Sequence, residues 1–420
     1  MKKNIKKIIP LLLALCMTLV LFTGCSSSSS GNAPASDPAQ EEITVLVATD
    51  KGWVLDYVPE FEKETGIKVN LITMEYNDIA TKFVVSAAGG VASYDVIEAD
   101  PTAAGPWAQA GYLEPLDSYM AQIIDDIANP NMLTFDGKIY GMPWFQDAFF
   151  FLYNEDILKE AGIDAPPATW DDLVAQCQII KDMGILEYPI TMNLKQHEGE
   201  ACLMMALWAG NGAEAFADGK ASFNSPEAVG ALQNVIDLNN AGFVAPGSFS
   251  SNPSMVATEI CQGRSAYAMI WGALTSTVND PETSTVIGSV KVGMIPSNGV
   301  SYTVDGSEAL SIASNSSHKE AAWKFISGLT DKEYQKQLYL EQQVLPIYLS
   351  LYADKDMNAQ NPFLEMFGKQ LEHIVSRPTD AWWSEVSQII QVQTISALNG
   401  EIDAQAALDT AVEQSNPLIG

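Results

Sequence analysis

The amino-acid sequence predicts an α/β fold that begins with a parallel sheet. Three β-rich stretches alternate with two helical stretches, and the β-rich ones are residues 43–48, 67–72 and 94–98. A β-α-β-α-β order is typical of parallel strands joined by right-handed crossovers. Ligands of such sheets bind beyond the carboxyl ends of the strands. In this chain those ends are residues 49–52, 74–78 and 98–106.

Residues 135–154 combine a hairpin signal with a long apolar run. The Asp-Gly pair at 136–137 predicts a tight hairpin, and the continuous apolar run at 148–153 predicts a strand buried on both faces. Between these pieces lie polar and aromatic side chains, those of Trp144, Gln146 and Asp147. A buried polar group without a partner costs about 1–3 kcal/mol, so either the protein or a ligand must satisfy it. We expect the segment to cross between two lobes, with a ligand over the crossing.

The first 24 residues have the pattern of a bacterial lipoprotein signal. Four lysines precede an apolar stretch, residues 8–22, that is too short and too close to the N-terminus for a spanning helix. Phe-Thr-Gly-Cys at 22–25 resembles a lipoprotein cleavage box, and an ordinary secretory signal with an incidental cysteine is the alternative. We therefore expect removal of residues 1–24 and lipidation of Cys25, which would anchor the chain to the outer face of the cell membrane.

Residues 25–42 are predicted to form a disordered tether. The part from 26 to 40 is rich in Ser, Gly, Ala and Pro and has almost no large apolar residues, so it cannot bury a core. A flexible coil of this length spans about 20 Å. The globular part is therefore expected to begin at Ile43.

The globular part is strongly acidic. Without the four lysines of the signal, 18 basic residues remain against 52 acidic ones, a net charge of −34. This charge argues against nucleic acid as a partner and leaves the N-terminal lipid as the contact with the membrane. Arg264 and Arg377 are the two arginines of the chain. Because phosphate and carboxylate ligands usually require bidentate arginines, we expect a neutral ligand, or else a cationic one.

The cysteines and histidines do not indicate a metal site or catalysis. Cys177, Cys202 and Cys261 are expected to be buried thiols, although an exported chain could pair two of them. The three histidines lack metal-ligand spacing, and no Gly-Lys-Ser/Thr phosphate loop occurs. We therefore expect no metal, no cofactor and no enzymatic activity, with the carboxylate pair of a glycoside hydrolase as an open alternative.

Eight pieces of the sequence, spread in order over the chain after Cys25, resemble the extracellular solute-binding proteins of family 1, the sugar-capturing subunits of ATP-driven importers. One example is Phe-Asp-Gly-Lys-Ile-Tyr-Gly-Met-Pro at 135–143. The full set comprises residues 61–69, 94–97, 135–143, 152–156, 168–173, 223–228, 263–269 and 317–326.

This resemblance implies an α/β, two-lobe periplasmic-binding-protein-like fold of type II. Each lobe is expected to be a mixed, mostly parallel sheet flanked by helices, and a hinge is expected to join the lobes. Lobe 1 would comprise residues 43–146 plus 309–350, and lobe 2 residues 147–308 plus 351–420. The return crossing would then lie at residues 305–308.

A sugar site needs polar groups for the hydroxyls and aromatic rings for the apolar face of the sugar ring. We therefore select the polar and aromatic residues near strand ends and crossings. The candidate ligand-binding residues are Asp50, Asp100, Trp144, Gln146, Asp147, Trp208, Trp271, Ser307, Glu308, Arg377 and Trp383.

For three candidates the role rests on the resemblance. Asp147 matches the sugar-binding acid of the crossing, Trp271 matches a tryptophan that stacks on sugar, and Trp383 lies in a similar C-terminal aromatic segment. For every aromatic candidate the alternative is burial in the core, and for Arg377 it is a surface or interlobe ion pair. Four other tryptophans lie on amphipathic stripes and are expected in the core: Trp53, Trp107, Trp170 and Trp323.

The resemblance implies a function as the substrate-binding subunit of an ABC importer. Such a subunit captures a mono- or oligosaccharide between its lobes, with a Kd on the order of micromolar, and delivers it to the permease. We expect a monomer whose partners are the permease subunits and their ATPase. A cationic ligand such as a polyamine is the alternative within binding proteins, and a secreted glycoside hydrolase is the alternative outside them.

Overall fold

The computed structural model describes residues 40–361 and 363–419. The predicted signal, Cys25 and the predicted tether up to residue 39 lie outside these residues. The first strand begins at Glu42, one residue before the predicted start of the globular part. Among the described residues, no helix is both long and apolar enough to cross a membrane.

The strands of the described part are numbered in chain order. They are β1 (Glu42–Ala48), β2 (Lys68–Met74), β3 (Val96–Ala99), β4 (Thr134–Phe135), β5 (Lys138–Ile139), β6 (Met142–Pro143), β7 (Phe149–Asn154), β8 (Ile190–Thr191), β9 (Phe216–Ala217), β10 (Lys220–Ala221), β11 (Tyr267–Trp271), β12 (Val290–Gly293), β13 (Thr303–Val304), β14 (Ala309–Ile312) and β15 (Ile374–Val375).

The α-helices are numbered in the same way. They are α1 (Trp53–Thr65), α2 (Tyr76–Ala88), α3 (Pro101–Gln109), α4 (Asp117–Met120), α5 (Glu155–Glu160), α6 (Trp170–Asp182), α7 (Glu198–Gly210), α8 (Pro226–Asn240), α9 (Pro253–Cys261), α10 (Lys319–Leu329), α11 (Lys332–Gln342), α12 (Lys355–Gln360), α13 (Leu364–Leu371), α14 (Trp383–Leu398) and α15 (Ala404–Ile419). Short 3-10 helices occupy Ile124–Asp126, Pro246–Phe249, Gly272–Asn279 and Leu349–Ala353.

The first sheet has the strand order β2-β1-β3-β14-β6. β1 pairs in parallel with β2 and β3, which confirms the β-α-β-α-β pattern. β14, from a much later part of the chain, pairs antiparallel with β3 and β6. The first sheet therefore contains strands from both segments predicted for lobe 1, and the bounds of the lobes stay a prediction.

The second sheet has the order β12-β7-β11-β8. β7 pairs antiparallel with β11 and β12, and only β11 and β8 pair in parallel. This sheet is mixed but mostly antiparallel, and here the expectation of mostly parallel pairing was wrong. The reason is the position of β7, which enters the sheet directly from the crossing and lies between two strands of the opposite direction. As predicted, β7 is almost completely buried.

The chain passes between the two sheets at 146–148 and returns at 305–308. A β-bridge joins Ala148 to Asp305, and the N–H of Gly306 donates to the carbonyl of Asp147 at 2.9 Å. A third stretch lies beside these two, because the N–H of Gln146 donates to the carbonyl of Leu345 at 2.8 Å. Backbone hydrogen bonds among these three segments hold the connection between the two sheets in a defined position.

Several local signals produce the structures that they predict. Asp136 and Gly137 both have positive φ values, 47° and 71°, as the tight turn between β4 and β5 requires. Gly66 caps α1 in the left-handed conformation, and Thr169 forms a capping box at α6. The hairpin forms as predicted, and all three features depend on neighbours in the sequence.

Apolar side chains cover both faces of each sheet. Trp107 and Trp170 are buried in this packing, and Trp53 and Trp323 are half-buried against it, as expected for core tryptophans. The three cysteines of the described part are free and buried, which confirms the thiol prediction; they are Cys177, Cys202 and Cys261.

Candidate functional site

A cleft of about 760 Å³ lies at the carboxyl ends of β1 and β3 and beside the crossings. The loops of the first sheet contribute Asp50, Lys51 and Asp100, the first crossing contributes Asp147, and the end of β11 contributes Trp271. This volume is within the range of about 300–1,000 Å³ typical of small-molecule sites. The cleft is also where ligands of open α/β sheets bind.

Asp147 places a carboxyl group in this cleft. Its Oδ1 accepts hydrogen bonds from the backbone N–H groups of Ala148, at 2.9 Å, and Ala273, at 3.1 Å. Burial raises the pKa of Asp147 to about 7, against the opposing effects of these N–H donors and of Lys51. A large fraction of the group is therefore protonated at neutral pH, and a protonated carboxyl both donates and accepts hydrogen bonds.

Trp271 forms an aromatic wall of the cleft. Its ring stacks on that of Phe149, with centroids 3.9 Å apart and planes tilted by 25°. On the return crossing, a Cβ atom at Gly306 would lie 2.3 Å from Cζ3 of the indole. Only glycine at position 306 leaves space for the indole, so the crossing and β7 together determine its position.

Lys51 is a buried cation in the cleft lining. Its Nζ lies 3.2 Å from Asp50, 3.4 Å from Glu308 and 4.0 Å from Glu98, and 4.7 Å from the ring centroid of Phe145. Burial alone would lower the pKa of Lys51, but the three carboxylates raise it above the ordinary value. Lys51 therefore stays charged and neutralises the acids around it.

Glu308 is an acid of this group whose pKa is shifted upward. Burial, followed by the neighbouring Glu98 carboxyl, raises the pKa of Glu308 well above its ordinary value, although Lys51 opposes the shift. The first-lobe side of the cleft thus combines the ammonium group of Lys51 with the two neighbouring buried carboxyl groups of Glu98 and Glu308.

Arg377 joins the two sides of the cleft. Its guanidinium lies 3.0 Å from Asp100, which follows β3, and 3.5 Å from Glu198, which begins α7. Arg377 is only 7 % exposed. Burial would raise the pKa of Asp100, but Arg377 and hydrogen bonds from Thr102 and Tyr76 lower it, so Asp100 is ionised. This ion pair corresponds to the interlobe alternative weighed for Arg377.

Two predicted tryptophans do not reach the cleft. Trp144 is fully buried and packs against Trp53 and Phe145, and Trp208 is fully buried and stacks on Phe223 with centroids 5.0 Å apart. For both residues the geometry corresponds to the core alternative, because neighbouring side chains surround the rings.

Gln146 and Ser307 are part of the crossing and do not line the cleft. The Gln146 amide donates to the Ser307 hydroxyl at 2.8 Å, and that hydroxyl also accepts the N–H of Asp147 at 3.0 Å. Trp383 lines a neighbouring cavity, and its indole N–H donates to Glu198 at 2.9 Å. The cleft itself is lined by Asp50, Asp100, Asp147, Trp271, Glu308 and Arg377 of the predicted set.

The sequence analysis missed Lys51, Phe145 and Glu198. The strand-end rule already pointed to residues 49–52, but a lysine beside an aspartate usually indicates a solvated pair. Glu198 occupies the first turn of α7, where an acid interacts favourably with the helix dipole and needs no further explanation. In the described part of the chain, no group of three or more His, Cys, Asp and Glu side chains could hold a metal ion.

Two sheets joined by paired crossings, with a polar and aromatic cleft at the junction, define a two-lobe solute-binding protein with the type II periplasmic-binding fold. Residues 48–336 match the family model described as bacterial extracellular solute-binding protein. The chain therefore belongs to this family. Its members are solute-binding proteins of ABC transporters.

Individual proteins show the same relationship. A Brucella abortus (strain 2308) protein, described only as a binding protein, is 25% identical over 402 residues, which are 92% of this chain and 95% of the relative. The maltose-bound MalE3 of T. maritima is 26% identical, with a TM-score of 0.77 over 89% of this chain and 98% of that one. An ABC transporter solute-binding protein from Agrobacterium vitis S4, with bound D-mannitol, is 25% identical, with a TM-score of 0.72 over 89% and 97%.

Proposed function

We propose that this chain captures a carbohydrate between its lobes and delivers it to a membrane permease powered by an ATPase. It would do so as a monomer, anchored outside the cell membrane by a lipid on Cys25. The observation that carries the proposal is one cleft in which a half-protonated carboxyl, on Asp147, and an aromatic wall, on Trp271, are both available to a ligand. A sugar presents hydroxyls and an apolar face to such groups.

The charges of the cleft favour an uncharged ligand. Lys51 is surrounded by three carboxylates, and Arg377 bridges Asp100 and Glu198. A phosphate or carboxylate ligand would have to take these cations from their partners, which leaves buried charges unpaired. A cationic ligand such as a polyamine would prefer an ionised Asp147, and the raised pKa of Asp147 opposes that state.

The ligands of similar proteins agree with this choice. MalE3 of T. maritima is described with maltose and the Agrobacterium vitis protein with D-mannitol, both of them rich in hydroxyl groups. An Agrobacterium fabrum relative, 25% identical over 338 residues, is described as an sn-glycerol-3-phosphate-binding protein. That ligand is a phosphate ester. We do not expect this chain to bind it, because Lys51 and Arg377 are already paired with carboxylates of the protein.

The mechanism is a population shift between open and closed lobes. A ligand that contacts groups on both lobes binds the closed form more tightly than the open form, and it closes the lobes by that difference. Asp50 and Phe145 would contribute from the first lobe, and Asp147 and Trp271 from the crossing and the second lobe. The permease would then recognise the closed form.

A thermal-shift screen followed by isothermal titration calorimetry tests the proposal. The probes are maltose, D-mannitol, spermidine and sn-glycerol-3-phosphate, and the protein begins at residue 26. We expect a sugar or polyol to raise the melting temperature and to bind with micromolar Kd. A shift with spermidine alone would indicate the polyamine alternative, and cleavage of an incubated oligosaccharide would indicate a hydrolase.

Two variants connect binding to the cleft. Asp147→Asn keeps an oxygen for the N–H groups of Ala148 and Ala273, and Trp271→Ala removes the aromatic wall. Each should weaken sugar binding at least tenfold with little loss of melting temperature. The matched controls are Asp237→Asn, on the exposed side of α8, and Trp323→Ala, on α10, which should leave Kd unchanged. Wild-type Kd in both cleft variants would refute the site.

A further inference from the structure

Two neighbouring cavities lie in the space between the lobes. Beside the main cleft of about 760 Å³ lies a second cavity of about 320 Å³, which we name the inner compartment. Its lining is mostly apolar and aromatic and includes Ile79, Ala103, Trp107 and Trp383. Helices α2 and α3 supply the first-lobe side and the start of α14 the second-lobe side.

The residues common to both cavities are Tyr76, Asp100, Glu198 and Arg377. Three of them form a continuous chain of ion pairs, with Arg377 3.0 Å from Asp100 and 3.5 Å from Glu198. We name Asp100, Arg377 and Glu198 the ion-pair wall. Because the wall lines both spaces, it lies where the main cleft and the inner compartment adjoin.

Each acid of the wall is held on its own lobe. Asp100 accepts from the hydroxyl of Tyr76 and the N–H of Thr102, both at 2.8 Å. Glu198 accepts from the indole N–H of Trp383 at 2.9 Å. Each carboxylate thus has a hydrogen-bond partner other than Arg377. The Arg377 side chain is the group of the wall that extends from Asp100 on one side of the cleft to Glu198 on the other.

We propose that Arg377 sets the maximum length of the ligand by closing the passage from the main cleft into the inner compartment. This inference rests on the proposed function, since it takes the ligand to be a carbohydrate. A sugar that extends beyond the main cleft would have to displace the buried guanidinium and leave Asp100 and Glu198 without their counter-ion. When Arg377 is absent, the two spaces would join, and the inner compartment would admit a further sugar unit.

Titration calorimetry with maltose, maltotriose, maltotetraose and maltohexaose tests the length limit in the wild type, Arg377→Ala and Arg377→Lys. In the wild type and in Arg377→Lys, which keeps a cation in the gap, we expect affinity not to increase with added units. In Arg377→Ala the ratio of the maltose Kd to the maltohexaose Kd should be at least fivefold larger than in the wild type. An unchanged ratio would overturn the proposal.

A crystal structure of Arg377→Ala provides a measurement that needs no sugar. We expect one continuous cavity in place of two, and two separate cavities would overturn the wall. If Arg377→Ala does not fold, Arg377→Met, which keeps the aliphatic packing, is used for both measurements. A wild-type chain that binds none of the four sugars would contradict the proposed function for these ligands. The crystal structure of the variant would then be the measurement that shows whether Arg377 separates the two cavities.

Discussion

The substitution Gly306→Ala tests whether the position of the Trp271 ring matters for the ligand. The added Cβ would lie 2.3 Å from Cζ3 and 2.8 Å from Cε3 of the indole. Gly306 does not have a left-handed backbone, so alanine adds no backbone strain at this position. The change therefore acts on the indole through sterics alone.

The magnitude follows from the packing around the ring. Carbon atoms in contact prefer a separation of about 3.5–4.0 Å, so the indole must move by about 1 Å. Phe149, with its ring centroid 3.9 Å from that of Trp271, limits this movement, so the stack of the two rings is disturbed. Loss of the aromatic pair destabilises the fold by about 0.5–1.5 kcal/mol. The ligand loses its aligned ring, and we expect about tenfold weaker binding, or about 1.4 kcal/mol.

Titration calorimetry with the tightest sugar of the screen measures this effect. Gly52→Ala is the matched control, because its added Cβ meets no atom within 4 Å and its φ is not positive. A Gly306→Ala protein that unfolds at a slightly lower temperature and still binds sugar with the wild-type Kd would refute the role of Trp271 in binding.

Three further predictions concern protonation, the core and the thiols. An aspartate in the unfolded chain has a pKa of about 4, whereas Asp147 in the native protein has a pKa of about 7, so between these pH values the native state binds one proton more than the unfolded state. The wild type therefore loses stability as the pH rises through this range. The Asp147→Asn variant has no such proton to lose, and its melting temperature should rise relative to that of the wild type from pH 5 to pH 8. Trp208→Ala should cost about 3–5 kcal/mol in chemical denaturation while the folded fraction keeps its Kd, because the ring lies in the core of the second lobe. A chain that begins at residue 26 should show three thiols by titration in denaturant and almost none when folded, and a lower count would indicate a disulfide.

The sequence predicts this fold well where the signal is local. The hairpin at 136–137 and the buried strand β7 depend on residues a few positions apart. The resemblance placed residues 309–350 in lobe 1 but did not predict the pairing of β14 with β3, because no local pattern connects residues that are so far apart. The antiparallel pairing of β7 was missed for the same reason.

The cleft was harder to predict than the fold. Trp208 lies on α7, where almost every residue is buried, so the helix has no polar side that would distinguish a cleft residue from a core residue. Lys51 can be assigned to the cleft only from the structure, because the fold brings Glu98 and Glu308 next to it. A lysine and two distant glutamates give no pattern in the sequence, although together they determine the charge of the cleft.

The polar residues of the crossing divide into two kinds. Gln146 and Ser307 are satisfied by the protein, since the amide donates to the hydroxyl and to Asp305 beneath the cleft. Asp147, one residue further along, turns toward the cleft and has a pKa of about 7. In this short segment, the Gln146 side chain thus joins the two crossings through its hydrogen bond to Ser307, and the Asp147 side chain provides a hydrogen-bonding group in the cleft. Because the same segment crosses between the two sheets and lines the cleft, a ligand bound at Asp147 would act directly on the part of the chain where the proposed lobe closure takes place.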